Sequence, residues 1–102
     1  MKLKYNPIVK PEVLDKLDSY VDFMANVSES AAIQILREYK KTLNSISENP
    51  HSGLNYPHKS HKNLKYKLFY KRRYRVVFEI IENNVYIYDI QDCRQDTDKN
   101  LI

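Results

Sequence analysis

Apolar residues change their period once along the chain. Val13, Leu14, Leu17, Tyr20, Val21 and Met24 recur at three- and four-residue steps, and so do Ala32, Ile35, Leu36, Tyr39, Leu43 and Ile46; each set makes one helical face. Pro11 suits a first helical turn, and Glu12 and Asp15 suit the positive end of its dipole. Asn26-Val27-Ser28 interrupts the pattern, and Ser28 or Ser30 can cap a second helix. Asn49-Pro50 ends it, because the residue before proline is pushed out of helical geometry. The pattern predicts a helical hairpin over residues 11–48. After it the period becomes two. Strands are predicted over Lys65–Tyr70, Tyr74–Ile81 and Val85–Gln91. Tyr74, Val76, Phe78 and Ile80 oppose Arg75, Val77, Glu79 and Ile81, while Tyr86, Tyr88 and Ile90 oppose Val85, Ile87 and Asp89. Glu82-Asn83-Asn84 supplies a hairpin turn. Leu3 and Tyr5, alternating with Lys2 and Lys4, predict a short leading strand that Asn6-Pro7 stops. The order β-α-α-β-β-β predicts one α+β domain over residues 1–102. Its helical hairpin covers one face of a small, mostly antiparallel sheet, and the other face stays partly open.

Composition narrows the chemistry. The single glycine, Gly53, excludes glycine-rich phosphate loops and dinucleotide fingerprints. A lone cysteine, Cys93, forms no internal bridge, so a reducing compartment is expected. No run approaches the roughly eighteen apolar residues of a membrane span, and Met1-Lys2-Leu3-Lys4 does not open a signal peptide. A cytoplasmic protein without membrane contact is the expectation. The net charge of +4 is mild, but its distribution is not. Residues 1–48 carry seven basic and seven acidic side chains, and residues 79–102 carry two basic and six acidic. Between them Lys59, Lys62, Lys65, Lys67, Lys71, Arg72, Arg73 and Arg75 stand in a thirty-residue block with no acid. Such a block attracts polyanions, and its bland counterpart is a solvated basic face.

Three segments carry a family resemblance. The helix end and loop from Leu43 through Pro50 to Gly53, the strand Tyr74-Arg75-Val76-Val77-Phe78-Glu79-Ile80, and Val85–Ile90 followed by Arg94-Gln95-Asp96 occur in this order. Together they resemble the RelE/ParE superfamily of toxins from type II toxin–antitoxin modules. The resemblance runs nearly end to end. It implies an antitoxin protein as partner and no cofactor. It also implies one of two activities on a common scaffold: ribosome-dependent cleavage of messenger RNA, or non-nucleolytic poisoning of DNA gyrase. A toxin-like domain that has lost its activity is a third possibility.

Attack by the RNA 2′-hydroxyl needs a proton acceptor, stabilisation of the phosphate and a proton donor. Arginine suits the phosphate through its permanent charge and forked donors. Arg75 and Arg94 match the superfamily's phosphate-holding arginines, and neighbouring strands are expected to bring them together on the open face. The alternative is ion pairing, of Arg75 with Glu79 or Asp92 and of Arg94 with Asp96. Lys65 and Lys67 share a strand face; the resemblance implies an assisting role for Lys67 and an RNA-gripping one for Lys65. Lys71, Arg72 and Arg73, at a strand-to-strand turn, suit phosphate contacts. Tyr20, Tyr39 and Tyr74 fit core positions, while Tyr70 and Tyr86 or Tyr88 are candidates for stacking on bases. His58 and His61 have a chelating separation, but nothing completes four ligands, so no metal site is expected. Cys93 reads as a small, partly buried filler. Strongly nucleolytic members often carry a tyrosine or histidine near the C-terminus, and nothing after Arg94 supplies one. The eight basic residues favour the messenger-RNA reading, with Arg75, Arg94 and Lys67 at the scissile phosphate; the missing acid–base residue favours its rivals, the gyrase poison and the inactive domain.

Overall fold

The computed structural model describes residues 4–57 and 63–94. In chain order these form β1 (Asn6–Val9), α1 (Pro11–Ala25), α2 (Glu29–Glu48), a turn of 3-10 helix (Pro50–Ser52), β2 (Leu54–Asn55), β3 (Leu64–Phe69), β4 (Tyr74–Ile81) and β5 (Asn84–Asp92). Helix α1 starts on Pro11 after an extended Lys10. Ser28 caps α2 by accepting the Ala31 N–H at 3.2 Å, which satisfies one of the orphan donors of the first turn.

The sheet order is β1-β5-β4-β3-β2. β1 runs parallel to β5, and the other pairs are antiparallel. This is an α+β fold, with the helical hairpin on one sheet face. Val13, Leu17 and Met24 of α1 and Ile35, Tyr39 and Ile46 of α2 meet Phe69, Tyr74, Val76, Phe78, Val85, Ile87 and Ile90 of the sheet. A smaller cluster of Tyr56, Leu64 and Val77, with Tyr66 and Tyr88 against it, covers part of the opposite face. No helix among the described residues is long and apolar enough to cross a membrane.

Three details differ from the sequence pattern. The leading strand lies at Asn6–Val9, with Lys4 and Tyr5 in a bend before it; Pro7 is tolerated because β1 is an edge strand. A two-residue strand, β2, follows the loop and pairs with Lys65 and Tyr66. The third difference has consequences for the site. Phe78 pairs with Ile87 but Val77 pairs with Asp89, so Tyr88 is an extra residue in a β-bulge. The bulge reverses the alternation of everything after it. Ile90, expected beside Tyr86 and Tyr88, instead joins Val85 and Ile87 in the core, while Asp89 and Gln91 move to the open face. Beyond Ile87, no described strand continues β1 along that side of β5. Tyr20 of α1 donates to the Ile90 carbonyl at 3.5 Å, and the Asp89 carboxylate accepts the Ile90 N–H at 2.9 Å. That edge is therefore capped.

Candidate functional site

Arg75 is the centre of the open face. β4 pairs it with Gln91 on one side and Leu68 on the other, so all three side chains share that face. Its Nε donates to Gln91 Oε1 at 2.6 Å. Its guanidinium carbon stands 4.9 Å from the Tyr56 ring centroid and 5.4 Å from that of Tyr66, the geometry of a cation held between two π faces. Gln91 is fully buried. Its Nε2 donates to Tyr56 Oη at 3.1 Å and to Asp89 Oδ2 at 2.9 Å. Lys16 of α1 donates to Asp89 Oδ1 at 2.7 Å. A polar chain thus runs from Arg75 through Gln91 and Asp89 to Lys16, around the edge of β5. It fixes the guanidinium through Nε and leaves the forked Nη end for an outside acceptor.

The rest of this face is aromatic. Tyr86 and Tyr88 stack with ring centroids 6.3 Å apart, and Lys10 lies 5.7 Å over the Tyr88 ring. Tyr88 donates to Glu79 Oε1 at 2.8 Å. Burial first, then this bond to Glu79, push the Tyr88 phenol up to about 12. Cys93 is exposed rather than partly buried, since it follows the last strand residue. Its thiol is nonetheless pushed up by desolvation, with the positive charge of Arg75 acting in the opposite sense.

The other sequence-predicted site residues stand elsewhere. Lys65 pairs with Phe78 and Lys67 with Val76, on the helix-covered face. Lys65 donates to Asn55 Oδ1 at 3.3 Å, and Lys67 reaches α2, where it donates to Ser45 Oγ at 2.7 Å. Arg94 and Arg73 gather around Asp92, with contacts of 3.7 Å and 3.5 Å. They line a cavity of about 280 Å³ with Tyr20, Phe23 and Tyr74. Arg75 and Arg94 therefore lie in different surroundings, and Lys67 lies across the sheet from Arg75. Arg75 is bound to neither Glu79 nor Asp92; Arg94 pairs with Asp92, and Asp96 lies outside the described residues. Tyr70 is buried in the core, so it offers no stacking platform. His58 and His61 lie outside the described residues; among these, no group of His, Cys, Asp and Glu is placed to hold a metal.

Lys71 and Arg72 are exposed at the β3–β4 turn. Tyr70, Lys71 and Arg72 have φ of 50°, 57° and 63°, although none is glycine. The turn closes with the Arg73 N–H on the Tyr70 carbonyl at 3.0 Å. Left-handed backbone at β-carbon-bearing residues costs about 1–2 kcal/mol each, so this basic tip is held against a local preference. Sequence reasoning missed Gln91, Tyr56, Tyr66 and Lys16, whose relation to Arg75 depends on the bulge and on β2.

A helical hairpin on one face of a mixed sheet, with an arginine-centred opposite face, is the architecture the sequence resemblance implies, that of the RelE/ParE toxins. The family model described as the ParE toxin of the type II toxin–antitoxin system parDE matches residues 8–97. The chain belongs to this ParE toxin family and is a type II toxin, which implies a cognate antitoxin as its partner. No curated protein gives a significant match.

Proposed function

We propose that this toxin arrests growth by binding a protein machine, DNA gyrase, rather than by cutting messenger RNA. The observation that carries this reading is the division of the expected nucleolytic residues. Leu68 shares a face with Arg75, whereas Lys67 points to the opposite face and is tied to Ser45, and Arg94 is drawn to Asp92. Phosphate chemistry requires its charged groups within hydrogen-bond reach of one reacting centre, and these three do not share one. What the open face offers instead is a fixed arginine among Tyr56, Tyr66, Tyr86 and Tyr88. Tyrosine and arginine are the residue types that anchor protein interfaces. The exposed Lys71-Arg72 tip favours the second reading, because paired cations suit phosphate contacts.

Primer extension on transcripts from cells arrested by the toxin tests the choice. Intact transcripts are expected. Codon-associated cuts that disappear in Arg75→Ala would replace the binding reading with the nucleolytic one.

A further inference from the structure

Helix α1, the start of β4 and the end of β5 enclose the cavity of about 280 Å³ on the helix side of the sheet. The guanidinium of Arg73, which lines it, is poorly matched to its surroundings. Its side chain is only 15% exposed. Yet Nη1 donates to the Met24 sulfur at 3.5 Å, Nη2 stands 3.5 Å from Asp92 Oδ2, and the buried Nε has no hydrogen-bond partner among the described residues. A thioether is a weak acceptor, and 3.5 Å is long for a charge-assisted bond. A guanidinium taken out of water ordinarily has its donors met, because leaving them unmatched is costly.

Tyr74 has the same deficit. The residue is 1% exposed, and its Oη has no partner among the described residues. Burial first, and then the charges of Arg73, Asp92 and Arg94, act on this phenol, whose pKa is raised. The hydroxyl therefore belongs to the charged end of the cavity. There two guanidiniums share one carboxylate, Arg73 facing Asp92 Oδ2 and Arg94 facing Oδ1 at 3.7 Å. Among the described residues no other acid lines the cavity, so this end carries one positive charge in excess. The remaining walls are aromatic. The Tyr20 and Tyr74 rings lie 5.0 Å apart, and Phe23 is 59% exposed. An apolar cavity of about 150 Å³ takes a benzene ring. This one has room for a ring and a short acidic arm, and is smaller than the ~300–1,000 Å³ of sites for larger ligands.

We infer that this cavity binds a small aromatic carboxylate, a single ring on a short arm. The carboxylate replaces the Met24 sulfur at Arg73, bridges to Arg94 and accepts from the Tyr74 hydroxyl; the ring packs on Tyr20 and Phe23. A monoanion matches the single excess charge, and a carboxylate matches the fork of a guanidinium. Aromatic walls favour an aromatic body. Tyr74 faces the helices and Arg75 the open side, so the site goes beyond the proposed action on gyrase and does not depend on it.

Titration of the isotope-labelled full chain with phenylacetate, followed by amide NMR, tests the inference. Saturable shifts are expected around Tyr20, Phe23, Arg73 and Arg94, with a Kd of about 1 mM or below. Phenylacetamide, which lacks the charge, and acetate, which lacks the ring, are expected to bind about tenfold more weakly or less. Tyr74→Phe should weaken phenylacetate binding about tenfold at an unchanged or higher melting temperature, because the hydroxyl it deletes is unmatched in the folded chain. Arg73→Gln should weaken binding comparably, and Arg75→Ala should leave it unchanged. Absence of saturable shifts up to ~10 mM, equal binding of the amide, or full binding by Tyr74→Phe overturns the inference. Tighter binding of phenyl phosphate than of phenylacetate overturns it in favour of a phosphate ester.

Discussion

Gln91 holds the open face together from beneath: it accepts from Arg75 Nε and donates to Tyr56 and Asp89 while fully buried. Gln91→Leu keeps much of the volume but removes its bonds to all three. A loss of about 1–3 kcal/mol of stability is expected from unsatisfied buried groups, read as a lowered midpoint in urea with an unchanged slope. The tyrosines give a pH test. Tyr20 is pushed up to about 12 by burial and then by the charge of Asp89, and Tyr88 to about 12 by burial and then by Glu79. Both are raised on folding, so their contribution to stability is complete below the ordinary phenol value of about 10 and is lost as pH rises through 12. Tyrosinate absorbance should show two phenols titrating near 12, and Tyr88→Phe should remove one; a set of phenols all ionising near 10 in the folded chain would contradict this. The place of Arg75 on the open face was legible because strand position and alternation are local. Gln91 was not, because the bulge at Tyr88 places it on the open face and no spacing announces a bulge.

The β3–β4 turn is the element at which local preference and structure conflict. Arg72→Gly removes the β-carbon from a residue at φ 63°. It should raise stability by about 0.5–1 kcal/mol, measured by thermal unfolding, while weakening any target contact that uses the Arg72 charge. Gly53 is the opposite case. A β-carbon there would lie 2.6 Å from Cζ of the fully buried Phe78 ring. Gly53→Ala should therefore cost about 1–3 kcal/mol through overpacking, seen as a lower melting temperature. The helices were legible almost to the residue, because a proline start, a serine cap and a proline stop are each local signals. β2 was not, because two residues carry no period. The basic block is one acid-free run in the sequence, yet Lys65 and Lys67 face the helices while Arg75 faces away. Period two already divides odd and even positions between faces; which lysines share a face with Arg75 is set by the pairing of β3 with β4, which a run of charges does not reveal.

Across the whole molecule the sheet separates two surfaces. One is the tyrosine-rich face around Arg75; the other is the helix-covered side, which ends in the cavity at Arg73 and Tyr74. The fold class followed from the change of period, and the family from the order of three motifs, whereas the choice between activities rests on which side chains share a face. Supercoiling of relaxed plasmid by purified DNA gyrase, titrated with purified toxin, tests that choice most directly. The wild-type chain is expected to inhibit supercoiling and Arg75→Glu to lose inhibition while keeping its fold. Undiminished supercoiling in the presence of a chain that arrests growth in cells would contradict the account.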